Sequence, residues 1–264
     1  MRRVRNCFLL LMLVFLLSGI TVQAALPVVR TDVTTASEDC VLLGIEGTYV
    51  VQAQAALNRI NEIRLEACRQ GIKDPDTGRR LSEDSYVPLR WSYDMEYIAR
   101  IRAAEAALTM NHTRTNGEIC FGLASPNNIG SNSEVLAWNH SDTMLQGIEQ
   151  WYGEKSDYVN GDTSAETGHY EAMINPTYLY VGLGTFLSDS PLYHNCTAGE
   201  FSGRPGLSER TMSNPGRCVQ AVEVSRTALN HKLIVTGTLS GKAGDNTELQ
   251  VTTGVKMTNY WNTP

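Results

Sequence analysis

Up to about residue 160, apolar residues recur mainly at helical spacing; beyond it they recur at strand spacing. In "GTYVVQAQAALNRINEIRLEACRQG", Ala53, Ala56, Leu57, Ile60, Ile63 and Ala67 fall near one face of a helix. Thr48 is placed to cap its start and Gly71 to end it. A second helix is expected in "DMEYIARIRAAEAALTM", where Met95, Ile98, Ile101, Ala104 and Leu108 align and the alanines favour the helical state. A third runs through "TMLQGIEQWYGEKSDYV", where Thr143 and Gln146 have capping-box spacing. The segment "KDPDTGRRLSEDSYVP" between the first two helices is loop chemistry throughout.

Strands are expected after the helices. "TYLYVGLGTFL" is rich in β-branched and aromatic residues, and "GRCVQAVEVS" alternates well. The stretch between them, "DSPLYHNCTAGEFSGRPGLSERTMSNP", reads as a long hairpin connection. Residues 25–47 are mixed and turn-rich and read as an extension lying on the surface. Residues 48–226 form the main domain, and the tail, 227–264, carries two more strand-like segments. That tail is too short for a sandwich of roughly 100 residues, so it reads as a β appendage or the opening of a truncated domain.

The first 24 residues stand apart. Arg2, Arg3 and Arg5 precede an apolar run from Cys7 to about Leu17, and Val22-Gln-Ala24 makes a small-residue exit. That order is a secretory signal peptide, with cleavage expected after Ala24. The run falls short of the roughly 20 residues needed to span a bilayer, and no later stretch is apolar enough, so the mature protein is expected to be secreted and soluble. Of the 22 Lys and Arg, three leave with the leader, so 19 basic residues face 28 acidic ones, a formal charge of −9. An acidic exported chain without a basic stripe has no electrostatic attraction for nucleic acid or anionic lipid.

Five cysteines remain after Cys7 leaves. An oxidising compartment favours pairing, and an odd number leaves one thiol free or paired between chains. Cys196 and Cys218 bracket the Gly/Ser/Pro-rich loop and are the first expected disulfide; Cys68 with Cys120 is the second, leaving Cys40. No spacing is CxxC, which argues against a cysteine zinc site.

His112 follows the second helix, Glu134 opens "SEVLAWN", Glu154 stands three residues after Trp151, and His169 sits in "ETGHYEAMINPTYLYVGLGTF" before a strand-like run. Two imidazoles and two carboxylates can bind a divalent cation, the carboxylates orienting the rings through their second nitrogens. The plain alternative is one capping histidine, one core histidine and two solvated glutamates.

The order "ALNRINEIRLEA", "WSYDMEYIARIRAAEAA", "NHTR", "SEVLAWN", "GIEQWYGEKSDY", "TGHYEAMINPTYLYVGLG" resembles the CAP superfamily. These are the cysteine-rich secretory, antigen 5 and pathogenesis-related 1 proteins, or SCP domains, and the closest likeness is to secreted bacterial members. The resemblance covers about residues 50–225. It implies an α+β fold, a three-layer α-β-α sandwich with an open groove. It also carries the family's His-Glu-Glu-His tetrad onto His112, Glu134, Glu154 and His169, with His169 facing His112. Two departures stand out. Ser133-Glu134-Val135-Leu136 replaces the common Gly-Glu-Asn-Leu, and Glu171-Ala172 follows Gly168-His169-Tyr170 in place of Thr-Gln.

By that resemblance the chain is a binding module rather than a catalyst. Its groove would hold a divalent cation, zinc foremost, on His112 and His169, and an unidentified lipid, peptide or cell-surface ligand. A rival is a metal-dependent hydrolase with Glu134 or Glu154 as general base; no HExxH helix or third protein ligand supports it. A third reading is a structural tetrad that pins helices to the sheet. Tyr170 and Trp151 are groove candidates, with core packing the commoner role for such aromatics. His140, His194 and His231 lack carboxylate company at family positions. Asn111, Asn139 and Asn195 open glycosylation sequons that read as inert in a bacterial protein.

Overall fold

The computed structural model describes residues 26–29, 39–188 and 193–225, together with the backbone of 235–240 and 250–257. The expected leader and His231 lie outside the described residues. The strands are β1 (Val28–Val29), β2 (Cys40–Val50), β3 (Arg90–Trp91), β4 (Ser133–Asn139), β5 (Tyr180–Ser188), β6 (Asn195–Ser202) and β7 (Arg217–Ser225). They form one sheet in the order β1-β7-β2-β5-β6-β4, with β3 beside β5. The helices are α1 (Ala53–Gln70), α2 (Tyr93–Ala106), α3 (Leu145–Gly153), α4 (Lys155–Asn160) and α5 (Gly168–Ile174).

Strand alternation explains the three layers. On one face Val135, Ala137, Val181, Leu183 and Phe201 pack with Ile60 and Ile63 of α1, Ile148 and Trp151 of α3, and Met173 of α5. On the other face Leu43, Ile45, Leu136, Phe186, Cys196, Ala198 and Val222 meet Ala99, Ala103 and Ala104 of α2. This is the expected α+β sandwich. Helix α2 is buried almost all round, and its alanines and the bare backbone of β5 bring it close to the sheet. A Cβ at Gly182 would lie 2.0 Å from the Glu96 nitrogen, and one at Gly184 2.5 Å from the Arg100 Cα.

Several local expectations are corrected. Residues 40–50, read partly as a surface extension and partly as the start of a helix, form β2 between β5 and β7. Thr48 is therefore a strand residue, and α1 begins at Ala53, while Gly71 does end it in the left-handed conformation at φ 63°. The supposed connection between two strands contains β6, whose every residue is buried. Its Asn195, Thr197 and Glu200 gave it the composition of a loop. The third helix is broken at Glu154 into α3 and α4, and Thr143 bonds Gln52 instead of closing a capping box.

The five described cysteines are all free. Cys196 on β6 and Cys218 on β7 are separated by β5 and β2. Three strand spacings amount to roughly 14 Å, beyond the ~7 Å limit between bridged Cα atoms. Burial pushes the Cys196 thiol up to about 12 and the Cys218 thiol up to about 11. Cys68 and Cys120, also unpaired, are buried at separate places on α1 and in the turn Cys120–Gly122. In the tail, β8 (Val235–Ser240) and β9 (Gln250–Met257) pair as a separate antiparallel sheet.

Candidate functional site

Two His–Glu pairs meet across β4, the edge strand. The first comes from the layer of α2. His112 lies in the loop after that helix, and its Nδ1 is 2.8 Å from Glu134 Oε1. Arg102 of α2 grips the same carboxylate with a fork, Nε donating to Oε2 at 2.5 Å and Nη2 to Oε1 at 3.1 Å. Arg102 also donates to Glu105 and to the backbone oxygens of Asn111 and His112, which fixes the loop that carries the ring. Glu105 is held in turn by Arg114. Burial alone would raise the Glu134 carboxyl, but hydrogen bonds from His112 and Arg102, with the charge of Arg102, hold it below the usual carboxylate range. Arg102 is lifted above its usual value by its two glutamates despite burial.

The second pair comes from the opposite layer. Glu154, at the break between α3 and α4, turns its carboxylate toward the start of α5. Its Oε1 lies 2.5 Å from His169 Nδ1, and its Oε2 accepts the backbone N–H groups of His169 and Tyr170 at 3.0 and 3.1 Å. Those are the second and third residues of α5, so Glu154 satisfies two of the helix's orphan donors. Thr167, the residue before the helix, spends its hydroxyl on Glu171 instead. His169 thus stands inside a short helix that precedes β5.

The two rings face one another, centroids 6.5 Å apart and planes 25° from parallel. His112 is 54% exposed and His169 20%, so the pair opens to solvent. With Nδ1 of each ring directed at a carboxylate, Nε2 is the nitrogen left for a ligand. A zinc ion lies about 2.0–2.1 Å from each nitrogen it binds, so the rings must close slightly to share one ion. All four expected residues are therefore brought together.

Two expected groove residues are elsewhere. Tyr170 is fully buried among Tyr152 and Tyr158, its hydroxyl without a partner and pushed upward by burial. Trp151 is buried under the sheet, donating to the Leu136 carbonyl at 2.9 Å. Both are core side chains. Among the other histidines, His140 stacks on Tyr193, and His194 contacts the Ser188 oxygen and Asp142.

Three residues of the site escaped the sequence reading. Arg102 is one of several charges in "DMEYIARIRAAEAALTM", and the helical pattern gives it no role. Cys120 had been assigned to a disulfide, yet ligand atoms of His112, Cys120 and Glu134 all lie within 4.8 Å of one another, a cluster that could hold a metal. Glu200 of β6, hidden in the supposed hairpin connection, stands directly opposite Glu134. The signal that could have found it is a charge in "CTAGEFS", flanked by small and apolar residues.

A family model described as "Cysteine-rich secretory protein family", CAP, matches residues 57–199. None of the curated proteins matches the chain. A solved structure, "Structure of BmVAL-1", aligns at 13% identity over 62% of this chain and 81% of that chain, with a TM-score of 0.37. Among the described residues no helix is long and apolar enough to cross a membrane.

Proposed function

The chain belongs to the CAP family, the cysteine-rich secretory proteins, and on that premise we propose that it is a secreted binding module with a divalent cation between His112 and His169. The observation that carries this reading is the paired orientation of the rings: each Nδ1 is held by its own buried or half-buried glutamate. Zinc-ligating histidines are characteristically oriented by a carboxylate in this way, which fixes the tautomer and makes the other nitrogen a better donor. A bound ion would supply a local positive charge at the open face of the rings. This chain's own residues do the rest. Arg102 and Glu134 set His112, the α5 backbone and Glu154 set His169, and the exposed side leaves room for an acidic or carbonyl-bearing ligand, peptide or lipid.

The same bonds argue against hydrolysis. A general base near neutral pH needs a raised carboxyl and a free oxygen directed at water. Glu134 is held low and gripped by Arg102, and both oxygens of Glu154 are occupied by α5.

His112→Ala separates a binding role from a purely structural one. Loss of zinc binding with an unchanged denaturation midpoint is expected. A variant that unfolds, or one that binds zinc as the parent does, contradicts the reading.

A further inference from the structure

Beside His112 lies a second set of donors that the facing rings do not use. We propose that Cys120, Glu134 and Glu200 form, with His112, a buried site for one thiophilic divalent cation of the zinc class. Convergence is the first support: the ligand atoms of His112, Cys120 and Glu134 lie within 4.8 Å of one another. A tetrahedral ion with bonds of about 2.0–2.3 Å to nitrogen, oxygen and sulfur draws such a set together with small side-chain shifts.

The second support is independent. Glu200 is fully buried, pairs with Glu134 across the β4–β6 ladder, and has no hydrogen-bond partner for either carboxylate oxygen. Its polar neighbours are Ser131, whose hydroxyl is likewise without a partner, and Glu134, with which a protonated Glu200 shares its proton when no ion is bound. Buried polar groups nearly always have partners. Two buried carboxyls facing one another beside a buried thiol make a donor set that a cation would satisfy more fully than a shared proton.

Glu134 has capacity for the ion. A carboxylate offers about four lone-pair sites; Arg102 occupies one on each oxygen, and the bond between His112 Nδ1 and Oε1 is given up when that nitrogen takes the ion, which leaves one site on each oxygen. Cys120 has no disulfide partner, so its sulfur is available. Thiolate selects the zinc class over magnesium or calcium, which prefer oxygen ligands throughout.

His112 and Glu134 belong to both sites, and a neutral imidazole has one lone pair to give, so the two ions compete for His112; Cys120 and Glu200 belong to this site alone and His169 to the other, so the two readings fail separately. The test is titration of the full chain, freed of metal by a chelator, with cobalt(II) as the probe, read as the thiolate-to-cobalt charge-transfer band in the near ultraviolet. The band should appear and saturate, vanish in Cys120→Ser, and persist in Cys40→Ser and His169→Ala. Glu200→Gln should shift the midpoint to at least about tenfold higher cobalt. Absence of the band in the folded parent, or its survival in Cys120→Ser, overturns the proposal. Should Cys120→Ser fail to fold, an unshifted midpoint in Glu200→Gln overturns it instead. Failure of the ring-to-ring reading looks different: the band is intact, and adding His169→Ala to Cys120→Ser leaves the residual cobalt binding unchanged.

Discussion

Glu154 holds His169 by two routes, its Oε1 2.5 Å from the ring Nδ1 and its Oε2 accepting the same residue's backbone N–H at 3.0 Å. One carboxylate therefore anchors the start of α5 and orients the ring. Glu154→Gln keeps the shape but places a donor where an acceptor is needed. Zinc affinity should fall about 10–100-fold, with roughly 1 kcal/mol of stability lost from the capping role. Calorimetry and urea denaturation on the same variant measure both.

Arg102 supports the other ring in a wholly buried setting, its side chain and those of Glu134 and Glu105 all 0% exposed. Arg102→Met leaves two buried carboxylates short of their cation. Removing one partner of a buried pair costs about 3–5 kcal/mol. The expected outcome is an unfolding free energy lowered by about that amount, read from urea denaturation followed by circular dichroism.

Gly182 and Gly184 let α2 lie on the sheet. A Cβ at either would meet helix backbone at 2.0–2.5 Å, which cannot be relieved by turning a side chain. Gly182→Ala should therefore destabilise by about 3 kcal/mol or more. Gly153→Ala, where a Cβ meets nothing within 4 Å, should change stability little. Paired urea curves distinguish the two sites.

Glu200 gives a pH signature. Burial, then the charge of Glu134, raise its carboxyl well above the ordinary value. A group of this kind binds more protons folded than unfolded, so stability falls as pH rises from about 4.5 toward its folded value. Glu200→Gln, neutral at every pH, removes that loss. With chelator present, the variant's stability advantage should be small near pH 4.5 and grow toward pH 8. A constant difference over that range contradicts the protonated state. Glu134 has the opposite sign: held low, it contributes stability above its unfolded value that is lost in acid.

Much of this was legible in the sequence, for identifiable reasons. The helical face of Ile60 and Ile63, the αL end at Gly71 and the β-branched run of β5 are local patterns, and the fold kept them. The tetrad was carried by family likeness rather than by spacing, since nothing local tells that Glu154 reaches a helix start 15 residues on. What stayed hidden was set by tertiary contact. β2 occupies a central place although a turn-rich segment precedes it. β6 buries Asn195, Thr197 and Glu200, which composition assigns to a loop. Cysteine counting suggested disulfides because export favours them, but three strand spacings separate Cys196 from Cys218. Tyr170 adjoins His169 in sequence, yet helix geometry turns it into the core.

The most direct measurement is calorimetric titration with zinc of the full chain carrying Cys120→Ser, which lacks the thiolate site, beside the double variant Cys120→Ser/His169→Ala. The expected result is micromolar binding by the single variant, with affinity at least tenfold weaker in the double variant and the fold unchanged. Equal heats and equal affinities in the two proteins would contradict a cation held between His112 and His169.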